Sequence, residues 1–136
     1  MQIEGVLETA LYADDLDAAE SFYAGILGLE QIARAGNRHV FFRCGPGMLL
    51  IFNPKETTRP PPEEGLQVPP HGTQGQGHVC FRVGRDNLDA TAGALGKAGI
   101  TIESDVIWPN GTRSIYFRDP AGNSIECAEP GLWGIR

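Results

Sequence analysis

The sequence has little that would staple it or anchor it. Only three cysteines occur among its 136 residues, Cys44, Cys80 and Cys127. They are odd in number and far apart, so they form neither a disulfide framework nor a zinc or redox spacing, and they suit a reducing, cytoplasmic setting. Long apolar runs are also missing, and none approaches the ~20 residues a membrane span needs. The opening Met1-Gln-Ile-Glu-Gly5 has no basic start and no apolar stretch, which argues against a signal peptide. Basic residues are scarce: eleven Lys and Arg face seventeen Asp and Glu, for a net charge of −6. With no basic patch, nucleic acid and anionic membrane are not expected as main partners. What remains, 41% hydrophobic and 21% charged residues, is ordinary for a globular domain. A chain of this length buries roughly two-thirds of its unfolded surface and folds without structural metal.

Proline is uneven. Six of the ten prolines lie between Asn53 and Gln76, with runs at Pro60-Pro61-Pro62 and Pro69-Pro70. That stretch is expected to hold neither helix nor interior strand. It divides the chain into a first module (1–53), a linker (54–76) and a second module (77–136). The linker is either a plain spacer or a lid or binding edge.

The two modules repeat one order. Val6–Tyr12 reads as a strand, and Asp14-Asp15-Leu16-Asp17 as a helix start with an Asp cap. Leu16, Ala19, Phe22, Tyr23, Ile26 and Leu27 then recur at helical spacing up to the Gly28 stop. Strands fit Gln31–Ala35, His39–Arg43 and Met48–Phe52. In the second module His78–Val83 is a strand. Asp86 is the expected cap of a helix carrying Leu88, Ala92, Leu95 and Ala98, stopped by Gly99. Strands then fit Thr101–Trp108, Ser114–Arg118 and Asn123–Ala128, with a primed hairpin turn expected at Asn110-Gly111. The C-terminal Pro130-Gly-Leu-Trp-Gly134 has no helix signal. Phe41–Ile51 lies over Tyr116–Glu126 without a gap, setting Arg43 on Arg118 and Gly47 on Gly122. Each module is therefore a βαβββ unit.

Strand parity isolates three ionisable residues. Side chains two apart share a face, so Glu8 lies with Ala10 and Tyr12, opposite Leu7 and Leu11. His78 lies with Cys80 and Arg82, opposite Val79 and Phe81. Glu126 lies with Ser124 and Ala128, opposite Ile125 and Cys127. A lone buried charge is costly unless it is paired or bound to a cation. One imidazole and two carboxylates suit Mn²⁺, Fe²⁺, Zn²⁺ or Ni²⁺ without selecting sharply among them. A solvated polar face is the plain alternative for each residue taken singly. His39 and His71 fall in a turn and in the linker, where a solvated role is expected.

Several stretches resemble the vicinal oxygen chelate superfamily, which includes glyoxalase I, fosfomycin-resistance enzymes, bleomycin-resistance proteins and extradiol dioxygenases. They are Asp15-Leu16-Asp17 leading to Phe22-Tyr23 and Leu27-Gly28-Leu29, Gly77-His78-Val79, and Arg113-Ser-Ile-Tyr-Phe-Arg-Asp-Pro-Ala-Gly-Asn-Ser-Ile-Glu126, the most specific of the three. The resemblance implies an α+β fold of two tandem βαβββ modules, forming a U-shaped, mainly antiparallel eight-stranded sheet around a cavity. It implies a divalent metal held by Glu8, His78 and Glu126, with Glu8 or Glu126 moving a proton. Tyr12, Arg82, Trp108 and Arg113 are the candidate substrate-binding residues.

The chain departs from the family pattern twice. Glu8 stands where His is usual, and Ile51 stands where glyoxalase I has a fourth ligand. A three-ligand set resembles the fosfomycin-resistance and extradiol members more than glyoxalase I. The resemblance implies a homodimeric metalloenzyme acting on a small oxygenated molecule, by isomerase or lyase chemistry or, with Fe²⁺, by oxygen-dependent ring cleavage. The rival is a metal-free protein that sequesters a drug or metabolite.

Overall fold

In a computed structural model that describes residues 1–135, the backbone follows the repeat. The first module comprises strand β1 (Glu8–Tyr12), helix α1 (Leu16–Glu20) with a π-helical continuation (Ser21–Ile26), and strands β2 (Glu30–Ala35), β3 (His39–Cys44) and β4 (Gly47–Phe52). A one-turn helix α2 (Pro54–Thr57) follows. The second module comprises β5 (His78–Arg82), α3 (Arg85–Lys97), β6 (Ser104–Ile107), β7 (Arg113–Arg118) and β8 (Ser124–Ala128), trailed by a 3₁₀ turn (Pro130–Trp133). The chain forms two compact units, Met1–Gly75 and a second from Gln76 onward.

Each unit carries its own four-stranded mixed sheet, in the orders β1-β4-β3-β2 and β5-β8-β7-β6. In both, the first strand runs parallel to the last and the remaining neighbours are antiparallel. The α+β class and the doubled βαβββ order are as expected. The eight expected strands are all present, four in the sheet of each module.

The first unit buries the first two turns of the helical stripe read from the sequence, while Ile26 at its end is exposed and Leu27 half-buried. Leu16, Ala19, Phe22 and Tyr23 are buried together with Leu11, Val40, Phe42, Leu49 and Ile51, the alternate strand residues of one sheet face. Each fully buried large apolar side chain contributes about 1.5–3 kcal/mol. The adjacent Phe22 and Tyr23 are both buried because the helix widens there. Leu27 N–H donates to the Phe22 carbonyl at 2.9 Å, a five-residue closure, and the two rings meet edge to face at 4.9 Å.

Asp15 caps α1, its Oδ1 accepting from Ala18 N–H at 3.0 Å. Asp86 does not cap α3. Gly84 holds that position and Asp86 sits in the first turn, where it favours the positive helix end without closing a capping hydrogen bond. Asp15→Ala is therefore expected to cost about 1 kcal/mol and Asp86→Ala a few tenths, read from urea unfolding midpoints. Equal losses in the two variants would contradict this assignment of the caps.

Four further expectations are corrected. The proline-rich stretch does hold a helical turn, α2. Pro54 occupies its first position, where no N–H is required, and Asn53 caps it by accepting from Lys55 N–H at 3.1 Å. Pro130–Trp133 closes as a 3₁₀ turn, again with proline at its start. The β6–β7 connection is not a primed turn, because Asn110 has no positive φ; Gly111 alone is left-handed, at φ +82°. Pro109 shifts the turn back by one residue, and Gly111 N–H donates to the Trp108 carbonyl at 2.8 Å. Leu7 is not packed under the helix: it precedes β1 and is 76% exposed.

Candidate metal and substrate site

The most tightly built polar cluster belongs to the second unit. The sequence Asp119-Pro-Ala-Gly-Asn123 forms a turn whose polar side chains point inward. Asn123 and Asp119 are buried, with Asn123 N–H and Nδ2 donating to the two Asp119 carboxylate oxygens at 2.8 and 2.9 Å. The Asn123 Oδ1 then accepts from Gly77 N–H at 2.7 Å, and Ser124 N–H donates to the Gly77 carbonyl at 2.9 Å. These bonds lock the start of β5 onto the start of β8. They set His78 opposite Ser124 and Cys80 opposite Glu126.

His78 and Glu126 meet on this sheet face, with His78 Nε2 3.3 Å from Glu126 Oε2. His78 Nδ1 lies 2.9 Å from the Ser124 carbonyl oxygen. A carbonyl only accepts, so Nδ1 carries a hydrogen, and in the neutral ring Nε2 then carries the lone pair. That nitrogen faces Glu126 Oε2: a protonated ring pairs with the carboxylate there, and a neutral ring leaves two acceptors that a cation can bridge. Glu126 is 5% exposed, and its other oxygen, Oε1, is buried with no hydrogen-bond partner among the described residues. An orphaned carboxylate oxygen is costly unless a cation meets it. The donor set therefore fits a divalent ion: a neutral imidazole fixed through its distal nitrogen, beside a carboxylate with unused lone pairs.

Neighbours on the same face stay protonated. Tyr116, opposite Glu126 in β7, has its phenol pushed up to about 12, by burial first and then by the Glu126 carboxylate. Its ring is roughly parallel to that of His78, with centroids 6.3 Å apart. Desolvation, followed by Glu126, pushes the Cys80 thiol up to about 12 as well, although the residue keeps an exposed edge. Buried Cys127, on the opposite face, is raised to about 12 by burial and then by Glu126. A thiol raised this far carries little thiolate at neutral pH and is a weak nucleophile.

These raised values also set a pH dependence. Between about pH 9 and 12 the folded chain holds protons on Cys80, Cys127 and Tyr116 that the unfolded chain releases, so stability falls as pH rises through that window. The urea midpoint is expected to be lower at pH 10.5 than at pH 8, and Cys127→Ala should shrink the difference. A midpoint that rises with pH over that range would contradict this environment.

Glu8 is exposed on the β1 face it shares with Ala10 and Tyr12, as parity required, and Leu11 is buried opposite. Glu8 lines a cavity of the first unit. Tyr12 is half-buried, with its hydroxyl 2.8 Å from His71 Nδ1. Arg82 shares the exposed β5 face with His78 and Cys80. The Trp108 indole N–H donates to Ser114 Oγ at 2.8 Å. Arg113 is committed elsewhere: its guanidinium forks onto Asp105 at 2.8 and 2.9 Å and reaches Asp89 of α3 at 2.6 Å. By register Arg113 falls on the helix side of the sheet, with Ile115 and Phe117, not on the side of Glu126. Among the described residues, no group of three or more His, Cys, Asp or Glu that could hold a metal is found. The structure brings His78 and Glu126 together; Glu8 belongs to the other unit.

Two contributors escaped the sequence reading. Tyr116 lay inside a quoted motif, and its parity with Ser114 and Arg118 was the available signal. Asn123 looked like a turn residue, and its link to Gly77 crosses 46 positions.

The sequence and the fold have likenesses among known proteins. The family model of the Glyoxalase/Bleomycin resistance protein/Dioxygenase superfamily matches residues 5–127, and the chain belongs to that superfamily. The structure is similar to the lactoylglutathione lyase of Agrobacterium tumefaciens, at 44% identity and a TM-score of 0.94, over 99% of this chain and 100% of that one. It shares its fold with the fosfomycin resistance protein FosX of Mesorhizobium loti, at 21% identity and a TM-score of 0.64, over 94% and 93% of the two chains. The virulence protein STM3117 of Salmonella typhimurium has the same fold, at 23% identity and a TM-score of 0.72, over 95% and 98%. The three-ligand pattern resembles the fosfomycin-resistance members, while the identity to the lactoylglutathione lyase is about twice that to FosX.

Proposed function

We propose that this protein is a glyoxalase-like lyase or isomerase that acts on a small oxygenated substrate with a divalent metal held by Glu8, His78 and Glu126. The observation that carries this reading is the buried Glu126, with one oxygen orphaned and the other facing the His78 lone pair. The 44% identity to a lactoylglutathione lyase supports the reaction class. A bound divalent ion supplies Lewis-acid polarisation of a substrate oxygen.

The chain's own residues do the rest. The Ser124 carbonyl fixes the His78 ring, and the Asn123–Gly77 link fixes where β5 begins. Glu126 presents Oε1, which has no hydrogen-bond partner among the described residues, and this makes it the candidate proton acceptor in the second unit. Tyr116 keeps its proton at neutral pH and can donate a hydrogen bond to an anionic oxygen. Glu8 brings the second carboxylate from the first unit. Two carboxylates and a neutral imidazole balance the charge of a divalent ion, which lowers the cost of burying it.

A homodimer and a reducing, cytoplasmic setting belong to the same proposal. Trp133 is 79% exposed and Leu7 76%, and large apolar side chains left open on one chain suit a second copy. No helix among the described residues is long and apolar enough to cross a membrane. Light scattering at micromolar concentration is expected to give twice the chain mass, and a strict monomer would contradict the dimer. Metal analysis after purification without chelator tests the metal reading. His39→Ala and His71→Ala should keep the metal content of the unaltered protein, while His78→Ala should lose it. Equal content in all three variants would contradict the assignment of His78.

A further inference from the structure

The first unit contains a cavity of about 1020 Å³ on the sheet face that carries Glu8. Its floor is rigid and aromatic. The His39 ring stacks on Phe41 at 4.1 Å, and Phe52 meets Phe41 edge-on at 5.4 Å. Leu50 and Ala10 complete the floor. The proline-rich stretch forms the opposite wall, through Pro60–Pro62, Pro69 and Pro70. Proline is already restricted in the unfolded chain, so such a wall loses little further freedom when it orders against a ligand.

That wall is tied down at its far end. His71 N–H donates to the Thr57 carbonyl at 3.0 Å, its Nδ1 bonds the Tyr12 hydroxyl at 2.8 Å, and its ring packs edge-on to Phe52 at 4.6 Å. The stretch read from sequence as either a spacer or a binding edge is thus held as a cavity wall.

Four charged side chains line the cavity, Glu8, Arg38, Glu56 and Arg59, and they are unequal in their commitments; Glu8 is the carboxylate assigned above to the metal. Arg59 pairs with Glu56 at 3.2 Å. Arg38 lines the same space, is half-buried, and makes no ion pair among the described residues. An arginine held beside an apolar floor, with its donors uncommitted, favours a carboxylate brought in by a ligand.

We propose that this cavity holds the non-reacting end of the substrate, a flat apolar body bearing a carboxylate, with the body between Phe41, Phe52 and the proline wall and the carboxylate on Arg38. This inference rests on the proposed metal-dependent reading for its place in the reaction, but the binding it describes needs no metal. Arg38 is a specificity-determining residue in this account, and the Tyr12–His71 bond positions the wall.

The test uses the full-length protein, both as purified and after stripping with a chelator, titrated calorimetrically with 2-naphthoate, its uncharged analogue 2-naphthamide, and acetate. Naphthoate is expected to bind at least about tenfold more tightly than naphthamide, and acetate not measurably, with the same ranking in stripped protein. Arg38→Ala should abolish the preference for naphthoate while leaving naphthamide binding within about twofold, and Arg38→Lys should restore part of it. Phe52→Ala should weaken both ring probes, and Tyr12→Phe should weaken both without changing their ratio. Equal affinity for the two ring probes, or a preference that survives Arg38→Ala, overturns the inference. Naphthoate binding that vanishes on stripping places the carboxylate on the metal and also overturns it. Metal content measured on the same samples fails or holds independently, so a chain that never binds metal but keeps the Arg38-dependent preference would overturn the enzymatic reading alone.

Discussion

Glu126→Gln is expected to lose the metal and, in chelator, to be more stable than the unaltered chain. Glutamine keeps the shape of the side chain but removes the charge. At a pH where the His78 ring is neutral, the glutamine amide N–H₂ can donate to His78 Nε2, 3.3 Å from the present Oε2, where a carboxylate only confronts the lone pair. One new buried hydrogen bond contributes about 1 kcal/mol, and removing an uncompensated buried charge acts in the same direction. With a divalent ion present the order should invert, because an ion that binds only the folded chain stabilises it by mass action. Loss of a direct ligand should lower metal affinity by more than the ~10–100-fold that loss of an outer partner costs, and turnover with it. Unfolding midpoints measured with EDTA and with Mn²⁺ give both arms. If the unaltered protein were the more stable in both conditions, by the same margin, Glu126 would be a structural acid and not a ligand.

The second large effect is expected at a residue that need not touch substrate at all. Asn123→Ala removes the Oδ1 that accepts from Gly77 N–H and the Nδ2 that donates to Asp119. Each buried group left unpaired costs about 1–3 kcal/mol. The consequence extends beyond stability, since Gly77 adjoins His78 and that link fixes where β5 starts against β8. Metal affinity should fall by about 10–100-fold, as for loss of other partners that orient a ligand. Asn123→Asp keeps the acceptor for Gly77 but sets a carboxylate against Asp119, so it should lose stability while retaining more of the metal affinity of its folded fraction. If Asn123→Ala lost stability but kept full metal affinity, the clamp would serve folding alone.

The His78–Glu126 pair was legible in the letters. Period-two alternation put both on one sheet face, where they meet, and put Glu8 on the exposed face of β1; Glu8 and His78 open the first strands of the two modules, whereas the repeat matches Glu126 with Ile51. The helix start at Asp15 was legible because a cap is a local bond spanning three residues. What could not be read was whatever depends on distant partners. Arg113 looks like a substrate-facing cation until Asp89 and Asp105 are brought to it from α3 and β6. Asp86 looks like a cap until the chain places Gly84 at the start of the helix. The turn of α2 was missed because proline was weighed as a helix breaker, although at the first position its missing N–H costs nothing.

The central claim is that Glu8, although it stands where a histidine is usual in the superfamily, joins His78 and Glu126 in holding one divalent ion. The most direct measurement is the metal content of the unaltered protein and of Glu8→Ala, each purified without chelator, re-supplied with Mn²⁺ and freed of excess ion. Carboxylate ligands must be ionised to hold the ion, so the unaltered protein should also release it as the pH is lowered. The account predicts one ion per chain for the unaltered protein and less than about a tenth of that for a folded Glu8→Ala, in line with the loss of a direct ligand. A folded Glu8→Ala that retains one ion per chain would contradict it.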